Sequence, residues 1–139
     1  MAYDNAKAVC YPFPAVDFST GSTKKLKIPR GSAEARVMDI LVSATVLFTQ
    51  VTTPALVQVG DGTTPDIFAS LTLGALAAGS TIGGSDVANG IFNAVYLAGN
   101  YNSGAGLHDL IATFVAPTGG TPAGTATVII VVGYDQILT

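Results

Sequence analysis

Along much of the chain apolar and polar residues alternate with a period of two, the spacing of a strand with one face inward. Ile67, Ala69, Leu71 and Leu73 fall on one face, Ser70 and Thr72 on the other. Ala55, Val57 and Val59 alternate with Leu56 and Gln58, and Leu26 and Ile28 alternate with Lys25 and Lys27. The run Val128-Ile129-Ile130-Val131-Val132 breaks the rule by being apolar on both faces. Such a strand is expected to be buried on both sides, in mid-sandwich or with a subunit contact on its outer face. No capped stretch of normal helix length has the 3.6-residue period.

Taken in order, residues 1–15 predict an extended N-terminal arm, because Pro12 and Pro14 around Phe13 exclude helix. Tyr3, Tyr11, Phe13 and Phe18 make this region aromatic, and an aromatic arm is expected to dock on something. Two short strands follow, Val16–Thr20 and Leu26–Pro29, around Gly21-Ser22-Thr23, and Pro29 places the second at a sheet edge. Further strands are expected over Arg36–Ala44, Thr45–Thr53, Ala55–Val59, Ile67–Leu73, Ile91–Ala98, Leu107–Val115 and Thr125–Tyr134. Gly60-Asp61-Gly62-Thr63 reads as a tight hairpin turn, and Ala77–Gly90 and Gly99–Gly106 read as loops. The fold class expected is all-β: an antiparallel β-sandwich or jelly roll of about eight strands, one domain over residues 16–139 with the arm in front.

Composition narrows what such a sandwich does. Of 139 residues 49% are hydrophobic and only 11% charged, against roughly 25% charged in an ordinary soluble domain. So few charges cover a lone domain poorly, which points to burial against neighbours. No apolar run approaches the roughly 20 residues of a membrane helix, so no membrane partner is expected. Met1–Lys7 is polar, with no apolar run, so no secretory signal is expected. Charge is also uneven. Residues 1–36 hold all six basic side chains and three acidic ones; residues 37–139 hold six acidic and none basic. Five of the basic residues, Lys24, Lys25, Lys27, Arg30 and Arg36, fall within thirteen positions. Lysines on an edge strand can simply block aggregation, or they can bind. A pI near 4.7 opposes direct nucleic-acid binding, which leaves acidic protein surface as the better partner.

Catalytic chemistry is thin. His108, the single histidine, stands beside Asp109, half of a triad at most, and no nucleophile elbow accompanies it. Asp61, Asp66 and Asp86 offer oxygens for calcium without any repeat motif, and turn chemistry explains Asp61 better. Cys10, the only cysteine, reads as a small packed hydrophobe. No cofactor and no enzymatic activity are expected. Tyr96, Asn100, Tyr101 and Asn102 sketch an alternative, a carbohydrate-binding or fibre-like module, though the chain has no Trp.

The Tyr11-Pro12-Phe13-Pro14 arm, the Val57–Thr64 strand and turn, the Leu71-Thr72-Leu73-Gly74 strand and the Gly/Thr-rich tail ending in Thr127–Tyr134 together resemble the head decoration or cement proteins of tailed bacteriophages. The resemblance implies a jelly-roll-like sandwich on the outer surface of the virion's icosahedral capsid. It implies binding to the major capsid protein and to itself, as a homodimer first and a trimer as the alternative. It implies no catalysis. The candidate contacts for such a role are Tyr11, Phe13, Lys24, Lys25, Lys27, Arg30 and Arg36.

Overall fold

The computed structural model describes residues 3–27, 33–49, 52–60, 64–83, 90–92 and 109–137. They form nine strands and no helix: β1 Tyr3–Asp17, β2 Ser22–Lys27, β3 Ala33–Val46, β4 Leu56–Gly60, β5 Ala69–Thr72, β6 Thr81–Gly83, β7 Gly90–Phe92, β8 Asp109–Val115 and β9 Thr125–Ile137. Two antiparallel sheets result, one in the order β1-β9-β3-β6 and the other β2-β8-β4-β5-β7. They pack as a β-sandwich. The first, called here the long sheet, is built on strands of 15, 13 and 14 residues; the second has no strand longer than seven.

Alternation places the core between the sheets. The long sheet contributes Val37, Ile40, Val42 and Ala44 from β3 and Ala126, Val128, Ile130 and Val132 from β9. The short sheet answers with Leu26, Leu110, Ala112, Phe114, Val57, Val59, Ala69 and Leu71. Full burial of one such side chain stabilises by about 1.5–3 kcal/mol. Buried residues three apart, Val37 and Ile40, share a face because the register slips at Met38. Phe13 and Val16 do the same across a slip at Pro14 and Ala15, where Ala15 takes φ 53°. Each slip is a β-bulge that resets the period-two frame.

One end of the sandwich is tied by aromatic rings. Phe18 lies 5.0 Å from Phe48 and 5.5 Å from Phe114, and Phe13 lies 5.5 Å from Phe114, all edge to face. Each pair adds about 0.5–1.5 kcal/mol beyond burial. The backbone N–H of Phe18 donates to Gly124 O at 2.9 Å and that of Phe48 to Leu76 O at 3.0 Å, so three loops close on the same rings. Gly124 holds φ 146°, and a Cβ there would meet the Phe48 ring at 2.5 Å.

Several expectations shift. The segment expected as an arm is extended, but over residues 3–17 it is strand β1, paired with β9 from Tyr3↔Ile137 to Asp17↔Thr125. The first turn comes earlier than Gly21-Ser22-Thr23. The strand expected to reach Thr20 stops at Asp17, whose Oδ1 accepts the Ser19 N–H at 2.9 Å, and Gly21 follows at φ 68°. Thr45–Thr53 is not one strand: β3 ends at Val46, and Thr53 makes only an isolated bridge to Thr118. The 77–90 loop contains β6, paired with β3 at Leu41–Ser43. Cys10 is exposed, not packed, because it sits on edge strand β1 opposite Val131 and away from the core face. The turn at Asp61-Gly62-Thr63 lies outside the described residues.

Gly124→Ala combines a forbidden backbone region with a ring clash. It is expected to destabilise by about 3–5 kcal/mol, read from urea unfolding midpoints. Gly79→Ala, at φ 82° with open space around the new methyl, is expected to lose only about 1 kcal/mol.

The Asp17 carboxyl is held below its ordinary value of 3.8 by the Ser19 side chain first and the Ser19 backbone N–H second. A depressed pKa stabilises the fold above the ordinary value, and that contribution fades as pH falls through the depressed one. Asp17→Ala is therefore expected to melt below the wild-type protein at pH 7, with the gap closing as pH drops below 3.8.

Candidate interaction surfaces

The backbone register separates the basic residues that lie on described strands. Lys24, Lys25 and Lys27 all lie on β2, an edge strand of the short sheet as expected. Alternation then separates them. Lys24 stands opposite Ala112, which is fully buried, so it shares the core-facing side with Leu26 and reaches solvent only because β2 is at the edge. Lys25 stands opposite half-buried Ile111, on the outer face. Lys27 occupies the register position opposite Asp109. Arg36 belongs to the other layer: it pairs with Gly133 in β3, two strands in from the β1 edge. Sheets pack about 10 Å apart and strands about 4.8 Å apart, so Arg36 is well separated from β2. Arg30 lies outside the described residues.

Tyr11 and Phe13 are used within the chain. They stand opposite Ile130 and Val128, are half-buried, and pack against the core. The aromatic segment thus docks first on its own sandwich, leaving only part of each ring at the surface. Lys24 lines an open cleft of about 470 Å³ where the β1 edge of one sheet meets the β2 edge of the other. Pro12, Phe13, Pro14, Asp17 and Ser22 line it as well. The period-two frame through Leu26 already assigns Lys24 to the core side, the one signal in the sequence for this cleft.

The outer faces of the two sheets differ. Across the long sheet, Cys10, Val131 and Asp39 form one cross-strand row, and Pro12, Ile129, Leu41 and Gly83 the next. Ile129, Val131 and Leu41 are half-buried, so part of each stays open to solvent. Across the short sheet the central row is Thr23, Thr113, Gln58, Ser70 and Ile91, polar over its first four positions, with Ile111 in the row on one side and Leu56 and Val115 in the row on the other. The apolar outer side of the Val128–Val132 run therefore has a definite place: the middle of the long sheet.

Among the described residues no group of three His, Cys, Asp or Glu side chains is placed to hold a metal ion, and no helix could cross a membrane. Asp66 is exposed. Asp61 and Asp86, His108, and the glycan-site candidates Tyr96, Asn100, Tyr101 and Asn102 lie outside the described residues. No family model matches the chain, and comparison with curated proteins and with solved structures finds no match.

Proposed function

We propose that the protein is a non-enzymatic decoration protein of a virion. On this reading it binds the outer surface of an icosahedral tailed-phage capsid as a homo-oligomer and stabilises the shell by bridging neighbouring capsomers. The observation that carries this reading is the basic edge strand β2 on an otherwise acidic, charge-poor sandwich. A second observation supports a jelly roll within it: β1 pairs with β9, β2 with β8, β3 with β6 and β4 with β5. That nested pairing is what a long antiparallel hairpin makes when it is rolled into two sheets.

The physical requirements agree. A cement protein resists outward pressure, so it needs a rigid body with area for contact and no catalytic groove. An exposed ion pair contributes only about 0.2–1 kcal/mol, so Lys24 and Lys25 set orientation while apolar contact supplies most of the binding. Because Lys24 and Lys25 leave β2 on opposite sides, a surface touching both must approach the sandwich along the β2 edge.

Purified protein added to undecorated, expanded heads is expected to bind saturably and in fixed stoichiometry, measured by co-sedimentation. Lys24→Glu and Lys25→Glu are each expected to weaken attachment about three- to tenfold at low salt, and less at high salt. An effect of Lys25→Glu alone would mean a partner lying flat on the short sheet. No binding to any head form would overturn the reading.

A further inference from the structure

We infer that the free side of β2 takes an extended acidic segment of a partner protein as an added strand, with two adjacent carboxylates of that segment meeting Lys24 and Lys25. The inference deepens the proposed function by naming what the basic edge binds, and it rests on that reading only for the identity of the partner.

Three observations carry it. The first is the way the two lysines leave the strand. Lys24 is exposed although it stands on the core-facing side, opposite buried Ala112. Lys25 is exposed on the outer face, opposite Ile111. A surface laid flat on one face of the sheet reaches only one of them. A strand lying in the plane of the sheet reaches both, because its own successive side chains alternate between the same two sides. Two adjacent acidic residues in register with Lys24 and Lys25 put one carboxylate on each side, and opposite charges directly across a strand pair attract.

The second is the edge itself. β2 pairs with β8 along all six residues from Ser22 to Lys27, and among the described strands none pairs with its other side. Every second residue of such an edge turns its N–H and C=O outward, and an extended peptide satisfies these groups by joining the sheet. Six residues offer a ladder of about 20 Å. The neighbouring edge of the long sheet is a poorer acceptor. There β1 carries Pro12 and Pro14, which have no N–H to give, and its register slips between Phe13 and Val16. The lysines also select the occupant. A second β2 would set lysine against lysine across the new pair, which repels, whereas an acidic strand is attracted.

The third is room on the inner side. The cleft of about 470 Å³ is lined by Lys24 and Ser22 of β2 and by Phe13 of β1. A strand added to β2 continues the short sheet, and its inward side chains enter this cleft. The Phe13 ring lies 5.5 Å from Phe114, the residue in register with Ser22, so the aromatic wall stands level with Ser22. Asp17 lines the cleft as well, so an acidic side chain opposite Ser22 is disfavoured and an apolar one fits. The segment recognised therefore has a pattern: apolar opposite Ser22 and Leu26, acidic opposite Lys24 and Lys25.

The probe is the peptide acetyl-TTVEETVT-amide, which carries this pattern when it runs antiparallel to β2. It is titrated into the isotope-labelled full chain and followed by amide resonances. Binding is expected with a dissociation constant on the order of 0.1–1 mM, with the largest shifts in Ser22–Lys27. Alternate amides of β2 that exchange fast in the free protein are expected to slow in the complex, a signature that attraction between charges alone does not give. Of two peptides N-methylated on alternate residues, one is expected to bind as before and the other about tenfold or more weakly, because only one set of amides faces β2. Replacing both glutamates by glutamine, or substituting Lys24→Glu or Lys25→Glu, is expected to weaken binding about three- to tenfold at low salt. Absence of shifts in β2 at about 5 mM peptide, well above the expected range, would overturn the inference. So would equal binding of the two N-methylated peptides, or a loss confined to Lys25→Glu. Competition with undecorated heads separates the two proposals. A peptide that binds the edge of a protein that ignores heads refutes the shell alone. Head binding that persists at saturating peptide refutes the added strand and leaves the shell standing, and head binding that the peptide displaces supports both.

Discussion

The whole sandwich hangs on β9. It is the one long strand with a full partner along both edges, β1 from Tyr3↔Ile137 to Asp17↔Thr125 and β3 from Ala33↔Gln136 to Val46↔Thr125. Its inner side chains Ala126, Val128, Ile130 and Val132 are fully buried. Without it β1 and β3 have no ladder to share, and the long sheet ceases to exist. The strand that organises the sheet is the last of the described strands, and its main partner is the first of them. Closing that contact spans nearly the whole chain, so folding is dominated by non-local pairing and should be slow for a domain of this size. The phenylalanine cluster ties one end, where Phe13 and Phe18 at the corner between β1 and β2 meet Phe48 and Phe114.

What the residue pattern made legible follows from burial on two sides or one. The run from Val128 to Val132 pointed to a strand buried on both sides; Val128, Ile130 and Val132 are buried, while Ile129 and Val131 on the outer face are only half-buried, and Ala69, Leu71 and Leu73 lie buried on one face as their alternation requires. The bulges were not legible. Val37 and Ile40, or Phe13 and Val16, look out of phase in sequence, and only the need of the opposite sheet for a continuous apolar surface shows that the backbone slips between them. The turn at Phe18–Gly21 was misplaced for a related reason. Phe18 reads as a strand residue, yet its ring is needed in the core at the corner where the chain changes sheets, and an aspartate cap with a positive-φ glycine makes that corner.

The basic cluster shows a different limit. Nearness in sequence suggested a strip, but a strand edge sends neighbours to opposite sides and a sandwich sends consecutive strands to opposite layers. Lys24 ends beside Leu26 at the cleft, Lys25 on the outer face, and Arg36 in the other sheet. Charge that looks concentrated along the chain is thereby spread around one flank. The prolines at 12 and 14 sit on an edge strand, where a missing N–H is tolerated and where it discourages uncontrolled strand addition. Edge lysines on β2 serve the same end on the other sheet. The two open edges on this side of the sandwich are thus guarded by different means, one by removing donors and one by charge.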